Sequence, residues 1–238
     1  MSTAFQFKQF AVEQDRCAMK TGTDGVLLGA WTSLETHPES ILDIGSGTGV
    51  IALQLAQRSL AETIDALELD PDAYEQCSEN FEASPWNDRL FCYHASVQEF
   101  AAEMDLKYDL IVSNPPFYTD EYKTNDPARD QARFTDTLPF EHLFLCAIQL
   151  LSLNGTFSVI VPKKEHENVV RIAAQHGLHP RRICEVRGTP NSEVKRILME
   201  FGREKYRSPV SEQLTIENGR HNYTQSYIQL VKDFYLKM

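Results

Sequence analysis

The chain has 238 residues, 42% of them hydrophobic, and a formal net charge of −11, a size that suits one α/β domain with a large core. No apolar run approaches the roughly 20 residues of a membrane helix, and Met1–Phe5 shows no basic flank followed by an apolar stretch; the expectation is a cytoplasmic protein with no membrane partner. Cys17, Cys77, Cys92, Cys146 and Cys184 form no C-x-x-C pair and the seven histidines no H-x-x-x-H pair, which predicts reduced thiols and no metal site.

In chain order, Thr21-Gly22-Thr23-Asp24 places hydroxyls and backbone donors ahead of the helical stretch Gly25–Trp31, where they can cover a ligand, and where Thr23 or Asp24 can cap the helix. A short strand at Ile41–Ile44 runs into Asp43-Ile44-Gly45-Ser46-Gly47-Thr48-Gly49 and then a helix at Val50–Arg58. Glycines this close together let backbone approach a ligand beside a helix N-terminus. Gly45, Gly47 and Gly49 read G-x-G-x-G, not the G-x-G-x-x-G of a dinucleotide fingerprint. The next strand, Ile64–Leu69, brings Glu68 to a point about 20 residues beyond the loop, where a carboxylate can accept both hydroxyls of a ribose. Asp70 before Pro71 reads as the N-cap of a helix at Asp72–Ala83.

A strand at Leu90–His94 leads to Ser96 and Val97, which open a helix over Val97–Glu103. The strand Tyr108–Ser113 ends in Asn114-Pro115-Pro116-Phe117. Two prolines fix φ near −65° and remove two N–H donors, so this turn presents acceptors. The Asn114 side-chain oxygen and the Pro115 carbonyl can take both hydrogens of an exocyclic amine while Phe117 stacks on its ring. That is chemistry for a nucleobase amine or a planar amide. The polar stretch Tyr118–Leu138 is long for a connection; its Arg129 and Arg133 are candidates for phosphate contact, opposed by Asp120, Glu121, Asp126, Asp130 and Asp136.

Further on come a helix at Phe140–Leu151 ending near Asn154-Gly155, a strand at Thr156–Val161, and a helix at Glu165–His176 ending at Gly177. Strands at Arg182–Val186 and Arg196–Phe201 are separated only by turn residues, a hairpin. Lys205–Pro209 is read as a linker before a last helix near Ser226–Leu236. Strands alternating with helices imply a mainly parallel sheet covered on both faces, with ligands beyond the strands' carboxyl ends. Residues 1–118 carry 6 Lys+Arg against 19 Asp+Glu, and residues 119–238 carry 17 against 15. A local basic face is therefore compatible with the acidic total, as are ordinary solvated faces.

The set Asp43–Gly49, Glu68 and Asn114–Phe117 resembles the class I S-adenosylmethionine-dependent methyltransferases that modify exocyclic amines and amides. The head segments Phe5–Phe10 and Asp15–Trp31, with Gln131–Thr135, Asn222–Thr224, Ser226-Tyr227 and Asp233–Leu236, are similar to the bacterial tRNA(Val) adenine-37 N6-methyltransferases, so the resemblance covers nearly the whole chain. It implies a Rossmann-like seven-stranded sheet with one antiparallel strand, S-adenosyl-L-methionine as cofactor, the tRNA(Val) anticodon loop as partner, and no obligate protein partner. Residues 1–38 would cover the cofactor, 39–204 form the core and 205–238 extend it, within one domain. Cofactor contacts would fall on Thr21, Thr23, Asp43, Gly45, Gly47, Gly49, Glu68, Ser96 and Val97; Asn114–Phe117 would carry catalysis and Arg129 and Arg133 would meet RNA. The chain departs from the pattern at Ser96, where many relatives place an acid, and at Phe117, where close relatives more often carry tyrosine. Guanine N2 methylation of ribosomal RNA, glutamine methylation of protein, and a module without catalysis stand as alternatives.

Overall fold

A computed structural model describes residues 4–116 and 138–238. Its elements are β1 (Phe5–Gln6), β2 (Ala11–Val12), α1 (Thr23–Trp31), β3 (Ser40–Ile44), α2 (Val50–Arg58), β4 (Thr63–Glu68), α3 (Pro71–Glu82), β5 (Leu90–His94), α4 (Val97–Glu103), β6 (Tyr108–Ser113), α5 (Phe140–Leu150), β7 (Leu151–Pro162), α6 (His166–Gln175), β8 (His179–Arg187), β9 (Val194–Gly202), β10 (Val210–Thr215), β11 (Glu217–Gly219), β12 (Asn222–Tyr223) and α7 (Gln225–Val231). The central sheet runs β10-β8-β9-β7-β6-β3-β4-β5, and only β9 is antiparallel to its neighbours. Order reverses between β3 and β6, both parallel, so the crevice at that switch point is where ligands of open α/β sheets bind.

Strand alternation fills two cores. Ile41, Ile64, Leu110 and Val112 face one side with α1, α2, α3, α7 and the β1–β2 hairpin. Leu42, Ile44, Leu67 and Ile111 face the other, packed against α4, α5 and α6. The chain's two ends meet where Phe7 stacks on Phe10 and Tyr235, with ring centroids 4.6 and 5.9 Å apart. Among the described residues no helix is long and apolar enough to cross a membrane.

The β8–β9 hairpin and the α/β alternation appear where the sequence places them. The expected seven strands are present, and β10 adds an eighth at the edge, parallel to β8. It is held by Glu212, which accepts from Trp31 Nε1 at 2.8 Å and Arg182 Nε at 2.9 Å, while the Arg182 guanidinium lies 3.9 Å over the Trp31 ring. Gly155 ends no helix: it lies within β7, where a Cβ would sit 2.9 Å from the Tyr108 carbonyl. Gly177 does end α6, at φ +74°, with its N–H and that of Leu178 closing on Ala174 and Ala173.

Candidate active site

The glycine turn is tied down by the neighbouring strand. The Gly45 and Ser46 N–H groups donate to the Leu67 carbonyl at 2.9 and 3.0 Å. Glu68, at the end of β4, accepts from Gly47 N at 2.7 Å through Oε2, and from Leu69 N and Asp70 N at 2.8 and 2.9 Å through Oε1. One carboxylate thus fixes two loops by charge-assisted bonds. Gly45 and Gly47 hold φ +75° and +54°, a region costly for residues with a Cβ, and nothing lies within 4 Å of where a Cβ would stand. Backbone there is bare toward a cavity of about 550 Å³, within the range of small-molecule sites.

That cavity is walled by Gly45, Gly47, Glu68, Ser96, Val97, Asn114, Pro115 and Pro116, gathered from the ends of β3, β4, β5 and β6. At the β6 end the Ser113 hydroxyl donates to the Ile44 carbonyl at 2.9 Å, fixing the start of the Asn-Pro-Pro turn against the glycine loop. Asn114 is half-buried and Pro115 buried. Phe117, Arg129 and Arg133 lie outside the described residues. Among those described, no three side chains are grouped to hold a metal ion.

Four of the sequence-derived cofactor residues are not on the cavity wall. Asp43 is fully buried behind the loop; its Oδ2 accepts from Ala52 N at 3.3 Å and its Oδ1 has no partner. Burial pushes its carboxyl up to about 7, against the Ala52 hydrogen bond and with the Glu68 charge adding to the rise. Gly49 is the N-cap of α2 at φ +78°, and its missing Cβ makes room for Phe81 and Cys77. Thr21 gives its N–H to Gln14 Oε1 at 2.9 Å and buries an unpartnered hydroxyl. Thr23 is the exposed first residue of α1; the N-cap is Gly22, and Asp24 pairs with Arg196 at 2.7 Å, so neither Thr23 nor Asp24 caps that helix. Asp70 does cap α3, accepting from Ala73 N at 2.9 Å.

Ser96 has a job besides facing the cavity. Its hydroxyl accepts from Glu99 N at 3.2 Å and donates to Glu99 Oε2 at 2.8 Å, while Ser96 N donates to the same carboxylate, a complete capping box for α4. The pattern Ser-x-x-Glu carried this signal.

Sequence reasoning missed Cys17, Ala18 and Met19 on the wall. They arrive there because two buried amides of α3 grip the irregular segment before them. Asn80 exchanges bonds with the Glu13 backbone at 2.8 and 2.9 Å; Gln76 accepts from Arg16 N at 2.9 Å and donates to Asp15 at 2.6 Å. Arg16 then pairs with Glu75 and Glu79. The strap is roofed over the cavity by chain separations of about sixty residues, invisible to local pattern. Burial pushes the Cys17 thiol up to about 12, so it is no nucleophile.

The family model of the methyltransferase small domain matches residues 26–170. The tRNA1(Val) (adenine(37)-N6)-methyltransferase of Flavobacterium johnsoniae is 58% identical over 98% of this chain and 100% of its own length. The chain belongs to this methyltransferase family. The protein of the same description from Trichodesmium erythraeum is 47% identical over 98% of both chains. Among solved structures, a predicted O-methyltransferase from Agrobacterium tumefaciens superposes with a TM-score of 0.66 at 18% identity, over 89% of this chain and 96% of its own. TYW2 from M. jannaschii in complex with AdoMet gives 0.57 at 16%, over 85% and 86%. At such identities these two speak for the class I fold that the sheet order displays.

Proposed function

We propose that this chain methylates N6 of adenosine 37, beside the anticodon of tRNA(Val), using S-adenosyl-L-methionine, and works in the cytoplasm where tRNA is used. The observation that carries the reading is one cavity bounded at one end by Glu68 and the bare Gly45–Gly47 backbone and at the other by Asn114–Pro116. The residues fit the cofactor: Glu68 is a ribose acceptor, Leu69 and Val97 offer apolar contact to a base, and the glycine turn admits a ligand without a Cβ in the way. When bound, S-adenosylmethionine supplies a methyl group on an electrophilic sulfonium.

The chain's own part is positioning and charge. The target adenine leaves its stack to enter the site. Asn114 Oδ1 and the Pro115 carbonyl accept its two amine hydrogens, which favours a pyramidal nitrogen with an available lone pair and holds it in line. As positive charge grows on that nitrogen both acceptor contacts strengthen, stabilising the transition state more than the ground state. The proton leaves to water afterwards and no side-chain base is required. Thr21, Thr23, Asp43 and Gly49 act from behind or beside the wall, and Phe117, Arg129 and Arg133 retain the roles of base stacking and phosphate contact.

Methylation of purified tRNA species with labelled cofactor, followed by nuclease digestion and mass mapping of the modified nucleoside, tests this. N6-methyladenosine at position 37 of tRNA(Val) is expected. Methylguanosine, or label found only in protein, overturns it.

A further inference from the structure

The carboxyl edge of the sheet divides by charge. Around the cofactor end stand Asp15, Glu68, Asp70, Asp72, Glu75 and Glu79, with Arg16 already paired to the last two. Phosphate approaching over β4 and β5 meets repulsion. On the other side of the Asn-Pro-Pro turn cations stand among the acids Glu165, Glu193 and Glu217. Lys164 follows the end of β7, Lys195 is the second residue of β9, Arg187 is the last of β8, and Arg220 sits in the turn between β11 and β12. Because β9 runs opposite to β7 and β8, the start of one and the ends of the others share this edge. The β11–β12 hairpin is tied to it as well, since Ile216 N and Glu217 N donate to the carbonyls of Arg187 and Gly188 at 3.0 and 2.9 Å. Lys164, Lys195 and Arg220 are exposed, whereas Lys163 at the same edge is held by Glu185 at 2.8 Å.

Four cations thus stand at successive strand positions, β7, β9, β8 and the hairpin after β10, starting one strand from the turn that ends β6. At about 4.8 Å per strand the row is roughly 14 Å long, several times the width of one phosphate and suited to a run of nucleic-acid backbone. We infer that Lys164, Lys195, Arg187 and Arg220 form a track for the phosphates of the tRNA stem that leads to the target nucleoside, so that RNA enters from the β7–β10 side and the acidic side is left to the cofactor. This rests on the tRNA reading above. Contacts of this kind position the RNA and give affinity that falls with salt, without reading bases.

The test is binding of tRNA(Val) transcript to the full chain, saturated with the demethylated cofactor product, as a function of salt. The triple variant K164A/K195A/R220A is expected to bind at least tenfold more weakly near 0.1 M salt, and its plot of log affinity against log salt to be shallower by about 2, with cofactor binding by calorimetry unchanged as proof of folding. The control K205A/R207A removes two exposed cations from the opposite, amino edge between β9 and β10 and should bind as wild type. Single variants K195A and R220A each give about a third of the slope change. Equal weakening by triple and control, or a triple with the wild-type slope, overturns the track while wild-type methylation of tRNA keeps the function reading intact. A wild-type chain that neither binds nor methylates tRNA overturns both.

Discussion

At the amino edge of the sheet, Arg and Lys side chains close the open ends of helices. Arg89 donates to the Ala56, Ser59 and Ala61 carbonyls at and just past the end of α2, Arg58 to those of Gly29 and Thr32 at the end of α1, and Lys107 and Arg203 to Gln149, Ile148 and Leu151 at the end of α5. These cations satisfy orphan carbonyls and are used up there. At the carboxyl edge the polarity is inverted: backbone N–H groups converge on the carboxylates of Glu68, Asp70 and Glu99. Donors fixed in this way hold loops open around a cavity instead of sealing it. The lesson is that one edge spends its polar side chains on stability and the other spends them on shape.

The sharpest separation of the two edges is Asn114→Ala. On the proposed role it removes an acceptor for the reacting amine, so turnover should fall by roughly 10²–10³-fold while calorimetric cofactor affinity stays near wild type. Loss of both together would place Asn114 in the framework and not in the chemistry. Next in size is Glu68→Ala, which deletes the observed staple and, on the proposed reading, the ribose acceptor with it. Cofactor affinity should drop roughly 10–100-fold and stability by about 1–3 kcal/mol, from three N–H groups losing a charged partner. A drop in affinity with an unchanged urea midpoint would show that water replaces the staple at no cost.

Why the glycine loop, Glu68 and the Asn-Pro-Pro turn were legible in sequence is physical. Each is a strand end that needs a rare residue type to work, so its signal is local even though Glu68 meets Gly47 across 21 residues and Ser113 meets Ile44 across 69. Strand β10 was not legible because, of Val210–Thr215, only Leu214 is buried; what seats it is Glu212 meeting Trp31 and Arg182, contacts that span 181 and 30 residues. Residues 1–38 are expected to cover the cofactor, but that Cys17–Met19 are the ones on the wall was not legible for the same reason, since Gln76 and Asn80 place them from about sixty residues away. Gly155 misled because a glycine after asparagine reads as a helix end, whereas close approach to the Tyr108 carbonyl is the cause.

On the amino edge, Arg89→Met should cost about 1–3 kcal/mol, since it strands the carbonyls of Ala56 and Ser59 at the end of α2 and that of Ala61 beyond it, with kcat and KM unchanged. A changed kcat would mean that the two edges are mechanically coupled. Asp43 lies beneath the other edge and gives a pH signature. Its carboxyl titrates near 7 in the native state against about 4 unfolded, so the native state binds this proton more tightly. The resulting stability is complete below pH ~4 and is lost as pH rises through about 7. Asp43→Asn lacks that dependence. In urea titrations without cofactor its stability relative to wild type should rise by on the order of 4 kcal/mol between pH 4 and 8, and a constant difference would mean that Asp43 is charged throughout.

The smallest effect decides how Ser96 shares its hydroxyl between the two uses that meet at the carboxyl edge. As N-cap of α4 it is worth about 1 kcal/mol, and Ser96→Ala should lower stability by that amount. Ser96 also lines the cavity, and if an adenine amino group donates to the second lone pair of its oxygen, the same variant should weaken cofactor binding by about 2–10-fold. Ser96→Asp retains a capping acceptor, adds a negative charge, and stands at the positive end of the helix dipole. It should recover only part of the stability, because the donor bond to Glu99 Oε2 is replaced by two carboxylates facing each other, and bind cofactor at least as tightly as wild type. Ser96→Ala with the stability loss but undiminished cofactor affinity would assign the hydroxyl wholly to the helix, and the carboxyl edge would then spend this side chain as the amino edge spends Arg89.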